Sequence, residues 1–175
     1  MEKPLFTFNR DNPDMPLYVG LKEAAIGFLS NCAILHDEFE NKKNKDVAEY
    51  MRLQTPYSSN LLQSIELLLK VILLSEGYGL DKLRTHKIYD LYKKLRPETQ
   101  KYLKLIIDGS GTHYYSLESI LKDNNNKFTR LRYNDLTQSS LLTFNGSDVL
   151  LHLGLFLCES TGFKITKHGK VWKPK

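Results

Sequence analysis

Residues 61–74 read Leu-Leu-Gln-Ser-Ile-Glu-Leu-Leu-Leu-Lys-Val-Ile-Leu-Leu, and this stretch decides the fold. Its apolar side chains cover nearly the whole circumference of a helix, a pattern typical of a helix that is buried on most sides. The stretch is shorter than the roughly 20 residues that a helix needs to cross a bilayer. We therefore expect a core helix from about residue 58 to residue 76 and no membrane-spanning segment.

The only charges within this stretch, Glu66 and Lys70, lie four residues apart and can pair on one face of the helix. The favoured interpretation is an exposed ion pair. The alternative is a partly buried Glu66 that needs a cationic partner from elsewhere, because an unpaired buried carboxylate is costly. Either interpretation gives the two side chains a structural role.

Apolar residues at helical spacing occur on both sides of the core helix. They predict helices over about 17–40, 46–53, 85–95, 97–109 and 148–160, and a short turn over 116–121. Pro56 is expected to end the helix over 46–53, and Ser116 and Ser147 are expected to cap the elements that follow them. Strand-like patterning is confined to residues 5–8 and to a weak hairpin over 163–172.

The sequence therefore predicts an all-α fold, a bundle of about five helices. We divide the chain into an N-terminal extension (1–16), the bundle (17–160) and a basic C-terminal tail (161–175). The division follows the charge: the chain has 25 Lys and Arg against 20 Asp and Glu, and no acidic residue follows Glu159. The lysines of the tail can contact RNA phosphates or simply be solvated. They are Lys164, Lys167, Lys170, Lys173 and Lys175.

Cys32 and Cys158 share no spacing typical of a metal site, and we expect buried free thiols in a reducing cytoplasm. The sequence also lacks metal-ligand motifs, phosphate-loop and dinucleotide fingerprints, so it indicates no metal and no cofactor.

Three segments together resemble the HEPN superfamily of helical bundles, over roughly residues 17–160. The first, 64–70, is an apolar helix that carries Glu66 and Lys70; the second, 86–95, opens with His86. The third comprises 116–121 and, beyond it, Phe128 and the pair Arg132-Tyr133. The resemblance implies a bundle of four or five helices that is frequently a homodimer. It also implies a place in prokaryotic toxin–antitoxin or phage-defence systems and, in many members, metal-independent RNA cleavage.

The nucleases of that superfamily use an arginine followed four to six residues later by a histidine, and no arginine of this chain has one. Cleavage by the 2′-hydroxyl needs a proton-transfer group, which histidine supplies, and a cation that binds the phosphate, which arginine supplies. The sequence therefore disfavours the usual nuclease site.

The candidate catalytic residues are His152, Arg132 and His86, and the candidate ligand-binding residues are Arg132, Tyr133, His86, Lys164, Lys167 and Lys170. We favour a structural role for His86, packed on the core helix and hydrogen-bonded to Glu66 or a carbonyl. Arg132 either neutralises Glu66 or faces an anionic ligand. His152 is flanked by leucines, so we favour a buried core histidine over a catalytic one. His36 and His113 have no recognisable partner.

The leading hypothesis is a cytoplasmic HEPN-like module that binds RNA or a nucleotide as a homodimer in a bacterial defence or stress system. One alternative is a metal-independent ribonuclease with a rearranged site, in which His152 moves the proton and Arg132 binds the phosphate. Another is a non-enzymatic module that binds an antitoxin or other protein. Whether the chain is an enzyme is left open by the sequence.

Overall fold

The computed structural model describes residues 5–6, 13–42, 46–109, 116–127, 146–167 and 170–172. Within these ranges the chain is almost entirely helical, which confirms the predicted all-α class. The elements are α1 (Met15–Lys42), α2 (Val47–Ser75), a 3₁₀ turn (Leu80–Leu83), α3 (Ile88–Lys94), α4 (Pro97–Asp108), α5 (Leu117–Asp123), α6 (Ser147–Ser160), β1 (Thr166–Lys167) and β2 (Lys170–Val171).

Helix α2 is the centre of the protein, as residues 61–74 predict. Helices α1, α3 and α6 all pack on it. It runs antiparallel to α1, since His36 meets Tyr57 while Leu29 and Leu61 lie together near Gly154. Each fully buried Leu or Ile contributes about 1.5–3 kcal/mol. The buried apolar residues of this stretch are Leu61, Leu62, Ile65, Leu68, Leu69, Val71, Ile72, Leu73 and Leu74.

The predicted break at Pro56 is wrong, because α2 continues through it as one helix. A proline inside a helix removes one backbone hydrogen bond and costs about 3 kcal/mol or more. Here the proline is exposed, and the buried Tyr57 and Leu61 directly after it hold the helix against α1. The N-terminus of the merged helix is capped by Asp46, whose Oδ1 accepts from the Glu49 amide at 3.1 Å.

Of the two serines that the sequence predicts as helix caps, Ser116 is a cap and Ser147 is not. The Oγ of Ser116 accepts from the Ser119 amide at 3.2 Å, so Ser116 caps α5 as expected. Ser147 is not the cap of α6, because that position is taken by Gly146, which has a φ of 78°. Ser147 is instead the first helical residue, and its hydroxyl donates to Asp148 at 3.4 Å.

The C-terminal hairpin is present as a two-stranded antiparallel ladder in which Thr166 pairs with Val171. Its ends are packed on the bundle, because Ile165 and Trp172 are buried and the Trp172 amide donates to the Ile165 carbonyl at 2.8 Å. Of the predicted N-terminal strand, residues 5 and 6 are described and form a bend instead. Residues 7 and 8 lie outside the described residues.

The two cysteines are buried free thiols, as the sequence predicts. Burial raises the pKa of the Cys32 thiol to about 12 and that of the Cys158 thiol to about 11. Because the thiolate is the reactive form, both groups are held in an inert state at neutral pH.

Helix α2 from Ala48 to Ser75 is the one described helix that is long and apolar enough to cross a membrane by length and composition. Of its most apolar window, 72% is buried inside the protein. Packing against α1, α3 and α6 accounts for that apolar composition.

Two glycines with positive φ allow a prediction about the turn before α6. Gly77 (φ 89°) has open space where a Cβ would lie, whereas a Cβ on Gly146 (φ 78°) would lie 2.9 Å from the Cδ1 of the buried Ile120. Alanine costs about 1–2 kcal/mol at either position because of its backbone conformation. We expect Gly146→Ala to lower the free energy of unfolding by about 1 kcal/mol or more beyond Gly77→Ala, measured by urea denaturation. Equal losses of unfolding free energy in the two variants would show that the Ile120 side chain of α5 does not restrict position 146.

Candidate functional site

Glu66 and Lys70 form a buried ion pair in the middle of α2. Nζ of Lys70 lies 2.6 Å from Oε1 of Glu66, and the two side chains are 10% and 3% exposed. The exposed pair favoured from the sequence is therefore wrong. The alternative is right that Glu66 is buried, but the cation that pairs with it is Lys70 of the same helix and not one from elsewhere. Both residues lie on the one polar edge of an otherwise apolar stretch, and α3 packs on the same helix. Charges buried in this way need good geometry and further hydrogen bonds.

His86 supplies a second hydrogen bond to the same carboxylate. It lies between the 3₁₀ turn and α3, and its Nδ1 is 3.0 Å from Oε1 of Glu66. The hydrogen bond between His86 and Glu66 that the sequence suggested is thus present. The imidazole is not buried with its partner, since its side chain is 47% exposed.

The contact with Glu66 fixes the tautomer of His86. An ionised carboxylate only accepts hydrogen bonds, so Nδ1 carries the proton and donates it to Oε1. Nε2 on the opposite side of the ring then holds the lone pair of the neutral imidazole. The ring can accept a proton at Nε2, or donate one to an anion when it is charged.

Positive charge is concentrated around this histidine. Residues 82–104, named here the basic segment, contain eight Lys or Arg and only two Asp or Glu. Lys82, Arg84 and Lys87 lie within four residues of His86 along the chain, and all three are exposed. Nζ of Lys82 lies 3.8 Å from Oδ2 of the neighbouring Asp81. Arg84 and Lys87 lie with His86 on the non-helical chain before α3.

The basic segment is one connected structure. Nζ of Lys94, at the end of α3, donates to the Lys82 carbonyl in the 3₁₀ turn at 2.7 Å. Nε2 of Gln100 donates to the Leu95 carbonyl at 2.7 Å and so joins α4 to α3. These bonds hold the three short elements together in addition to their buried apolar side chains, such as Leu83, Ile88 and Leu103.

Polar side chains also attach the basic segment to the rest of the bundle. Arg96 donates from Nη2 to the Glu76 carbonyl at 2.8 Å and from its amide to Oε2 of Glu76 at 3.0 Å. Asn125, just beyond α5, accepts from the Tyr89 amide at 2.8 Å and donates to Asp90 at 3.1 Å. One of the two acids of the segment is therefore engaged by a neutral amide, which leaves the excess of positive charge in place.

The structure separates the other predicted site residues from this cluster or does not describe them. Arg132 and Tyr133 lie outside the described residues, as do the two contacts proposed for Arg132. His152 is exposed on the same face of α6 as Asp148 and Glu159, so its interpretation as a core histidine is wrong. The flanking leucines suggested burial, but they occupy the inner face, and position 152 falls on the outer one.

The lysines of the predicted tail are engaged to different degrees. Lys164 pairs with Glu159 at 3.1 Å on the surface. Lys167 is only 17% exposed, and its Nζ contacts Oδ2 of Asp37 at 2.8 Å. Lys170 is exposed, and 173–175 lie outside the described residues. Predicted as a ligand contact, Lys167 instead ties the hairpin to α1.

Sequence reasoning missed Lys82, Arg84 and Lys87 as candidate binding residues. Over residues 1–159 as a whole, 20 basic and 20 acidic residues cancel, so the net charge of that region does not reveal the basic segment. A count over short windows would have found the basic segment, since charge acts locally in salt solution. His36 was missed as well: it is buried and lies 3.2 Å from the Tyr57 hydroxyl. His113 lies outside the described residues.

Within the described ranges, no three His, Cys, Asp or Glu side chains are grouped so that they could hold a metal ion. The chemistry that the site offers is proton transfer at one imidazole and electrostatic attraction of an anion by the surrounding cations.

Comparison with known proteins assigns no family: no family model, no curated protein and no solved structure matches the chain. The resemblance to the HEPN superfamily therefore stays a prediction from three segments of sequence. Any functional conclusion rests on the residues and geometry described above.

The buried ion pair predicts an asymmetry between single and double substitution. Glu66→Ala leaves Lys70 buried without its carboxylate, so we expect the free energy of unfolding to fall by about 3–5 kcal/mol. The double variant Glu66→Met with Lys70→Met removes both charges at similar volume, and we expect it to recover most of that loss. Urea denaturation at neutral pH measures both. A double variant as unstable as Glu66→Ala would contradict a desolvated pair.

Proposed function

We propose that this protein binds RNA through the basic segment, with phosphates of the RNA against Lys82, Arg84 and Lys87. The observation that carries the proposal is the cluster of exposed cations around His86, whose ring is held by the buried Glu66. Cations that neutralise phosphates supply most of the sequence-independent affinity of nucleic-acid-binding proteins. A histidine held in place among them adds a hydrogen-bonding group at a fixed position.

A polyanion fits this surface better than a single nucleotide does. The cations are spread over the 3₁₀ turn, α3 and α4, and the lysines of α4, Lys101 and Lys104, are exposed as well. Small-molecule sites are concave and bury most of the ligand, with a few converging polar groups. A row of charges over three consecutive elements can contact several phosphates of one strand.

The biological setting of the proposal comes from the HEPN resemblance. We infer a HEPN-type bundle that acts in the cytoplasm as a homodimer, in a bacterial defence or stress system with an antitoxin or other protein partner. The all-α architecture around a buried central helix is consistent with that inference.

RNA binding through the basic segment predicts a steep dependence on salt. The triple variant Lys82→Gln, Arg84→Gln and Lys87→Gln should bind RNA more weakly and reduce the slope of log K against log salt by about 2, at roughly 0.7 per lost phosphate contact. The measurement is retardation or fluorescence anisotropy of a labelled mixed-sequence RNA at several salt concentrations.

The control removes two positive charges from the tail, with Lys164→Gln and Lys170→Gln, and its effect is compared with that of the triple variant per charge removed. We expect this control to keep most of the affinity, since Lys164 already pairs with Glu159. A larger loss in the control would move the contact to the tail. No binding at any salt concentration would contradict the proposal and favour a protein-interaction module.

The pairing of His86 with Glu66 favours metal-independent RNA cleavage as a second candidate function. Nε2 of His86 would take the proton of a 2′-hydroxyl, and the 2′-oxygen would bond to the adjacent phosphorus. The bond from phosphorus to the 5′-oxygen then breaks, and that oxygen takes a proton from water. The products are a 2′,3′-cyclic phosphate and a 5′-hydroxyl. Arg84 would bind the phosphate as its negative charge grows.

This candidate replaces the arrangement of His152 with Arg132 by one around His86, and the two are separable by mutation. In EDTA, we expect cleavage to fall by about 10²–10⁴-fold in His86→Ala, the usual contribution of a proton-transfer residue. Glu66→Gln should lower kcat while leaving RNA affinity largely unchanged, and His152→Ala should cleave normally. Cleavage lost in His152→Ala and kept in His86→Ala would refute the assignment to His86.

A further inference from the structure

The C-terminal hairpin is attached to the bundle by polar contacts of Lys167 and by the buried side chains of Ile165 and Trp172. Nζ of Lys167 donates to the Ala33 carbonyl and to Oδ2 of Asp37, both at 2.8 Å. Beyond β2, the Trp172 ring lies edge-on to the His36 ring, with centroids 5.3 Å apart and planes at 75°. Trp172 is 9% exposed, so most of its surface is covered by the bundle.

His36 of α1 is the buried residue that the Trp172 ring contacts. It is 6% exposed, and its Nδ1 lies 3.2 Å from the hydroxyl of Tyr57 on α2. Burial raises the pKa of Tyr57, so the hydroxyl keeps its proton and can donate it to Nδ1. In that arrangement Nδ1 accepts, and the imidazole is neutral. His36 thus joins α1 to α2 on one side and to Trp172 on the other.

The attachment is open to water beside β1. A groove of about 520 Å³ lies between α1 and the hairpin, lined by Ala33, Ile34, Asp37, Thr166 and Lys167 among others. Ile34 in this groove is 63% exposed. The hairpin from β1 to Trp172, called the strap below, is therefore packed on the bundle at Trp172 and open to solvent at the groove beside β1.

We propose that His36 controls the docking of this strap: a proton on Nδ1 of His36 releases β1, β2 and Trp172 from α1. The proton reverses the hydrogen bond, because Nδ1 can then only donate to the Tyr57 oxygen, and it places a charge beside the Trp172 ring in a site that excludes water. The two-residue strands have too few ladder bonds to stay folded against α1 without that packing.

The charged groups around His36 shift its pKa in opposite directions. Asp37 and Glu40 on α1 and Asp148 on α6 favour its charged form, whereas Lys167 on β1 disfavours it. Burial is the largest influence, and the pKa of His36 is lowered from its usual value of 6.5. Since the folded pKa lies below the unfolded one, docking is strongest above about pH 6.5 and weakens as the pH falls through the range below it.

Trp172 is the only tryptophan of the chain, so its fluorescence reports on the strap directly. We expect acrylamide quenching of Trp172 to rise severalfold between pH 8 and pH 5, with a red shift in emission. Far-UV circular dichroism should stay constant over the same range, which shows that the bundle is intact. His36→Gln keeps a hydrogen-bonding group next to Tyr57 and should remove the pH step, whereas His152→Gln should keep it.

Two results would overturn the proposal. One is unchanged quenching of Trp172 in the native protein from pH 8 to pH 5; the other is a pH step that persists in His36→Gln. A measurement that needs no variant is the NMR titration of the imidazole nitrogens of His36 together with the indole proton of Trp172. The two signals should change with the same midpoint, and different midpoints would contradict the coupling.

Discussion

The site depends on one carboxylate that the fold buries in the middle of its central helix. Glu66 is 3% exposed and accepts from Lys70 at 2.6 Å and from His86 at 3.0 Å through the same oxygen. Lys70 comes from the same helix, but His86 comes from chain that follows a turn. The need to satisfy a buried charge therefore ties the segment before α3 to the centre of the bundle and fixes where the basic segment begins.

Apolar packing holds the whole bundle together, and polar bonds add to it in the short elements after α2. Helices α1, α2 and α6 associate through apolar surface, with large buried side chains from Leu29 to Leu157. The short elements also bury apolar side chains, such as Ile88 and Leu103, and are fixed further by polar bonds: Arg96 to Glu76, Lys94 to Lys82, and Asn125 to the start of α3. Because those bonds engage backbone groups, the exposed cations of the basic segment sit on a fixed frame. A surface fixed before binding loses less conformational entropy when an anion binds to it.

The sequence predicted what depends on apolar periodicity and little of what depends on three-dimensional packing. The all-α class and the core helix follow from the spacing of apolar residues, and Glu66 was one of the two hydrogen-bond partners that the sequence suggested for His86. The continuity of α2 through Pro56 does not, since the burial of Tyr57 and Leu61 after the proline offsets its local penalty. The burial of Glu66 and the exposure of His152 depend on which side of each helix meets its neighbours. The basic segment is visible in the sequence, but the net charge of residues 1–159 does not reveal it because opposite charges cancel in that sum.

We infer that Glu66 holds the proton on Nδ1 of His86 and so turns the Nε2 lone pair outward from the carboxylate. Long-range ¹H–¹⁵N NMR of the imidazole, at a pH where the ring is neutral, tests this inference. We expect a protonated Nδ1 and an unprotonated Nε2, with a mixture of tautomers appearing in Glu66→Gln. A native protein with the proton on Nε2 would refute this role of Glu66.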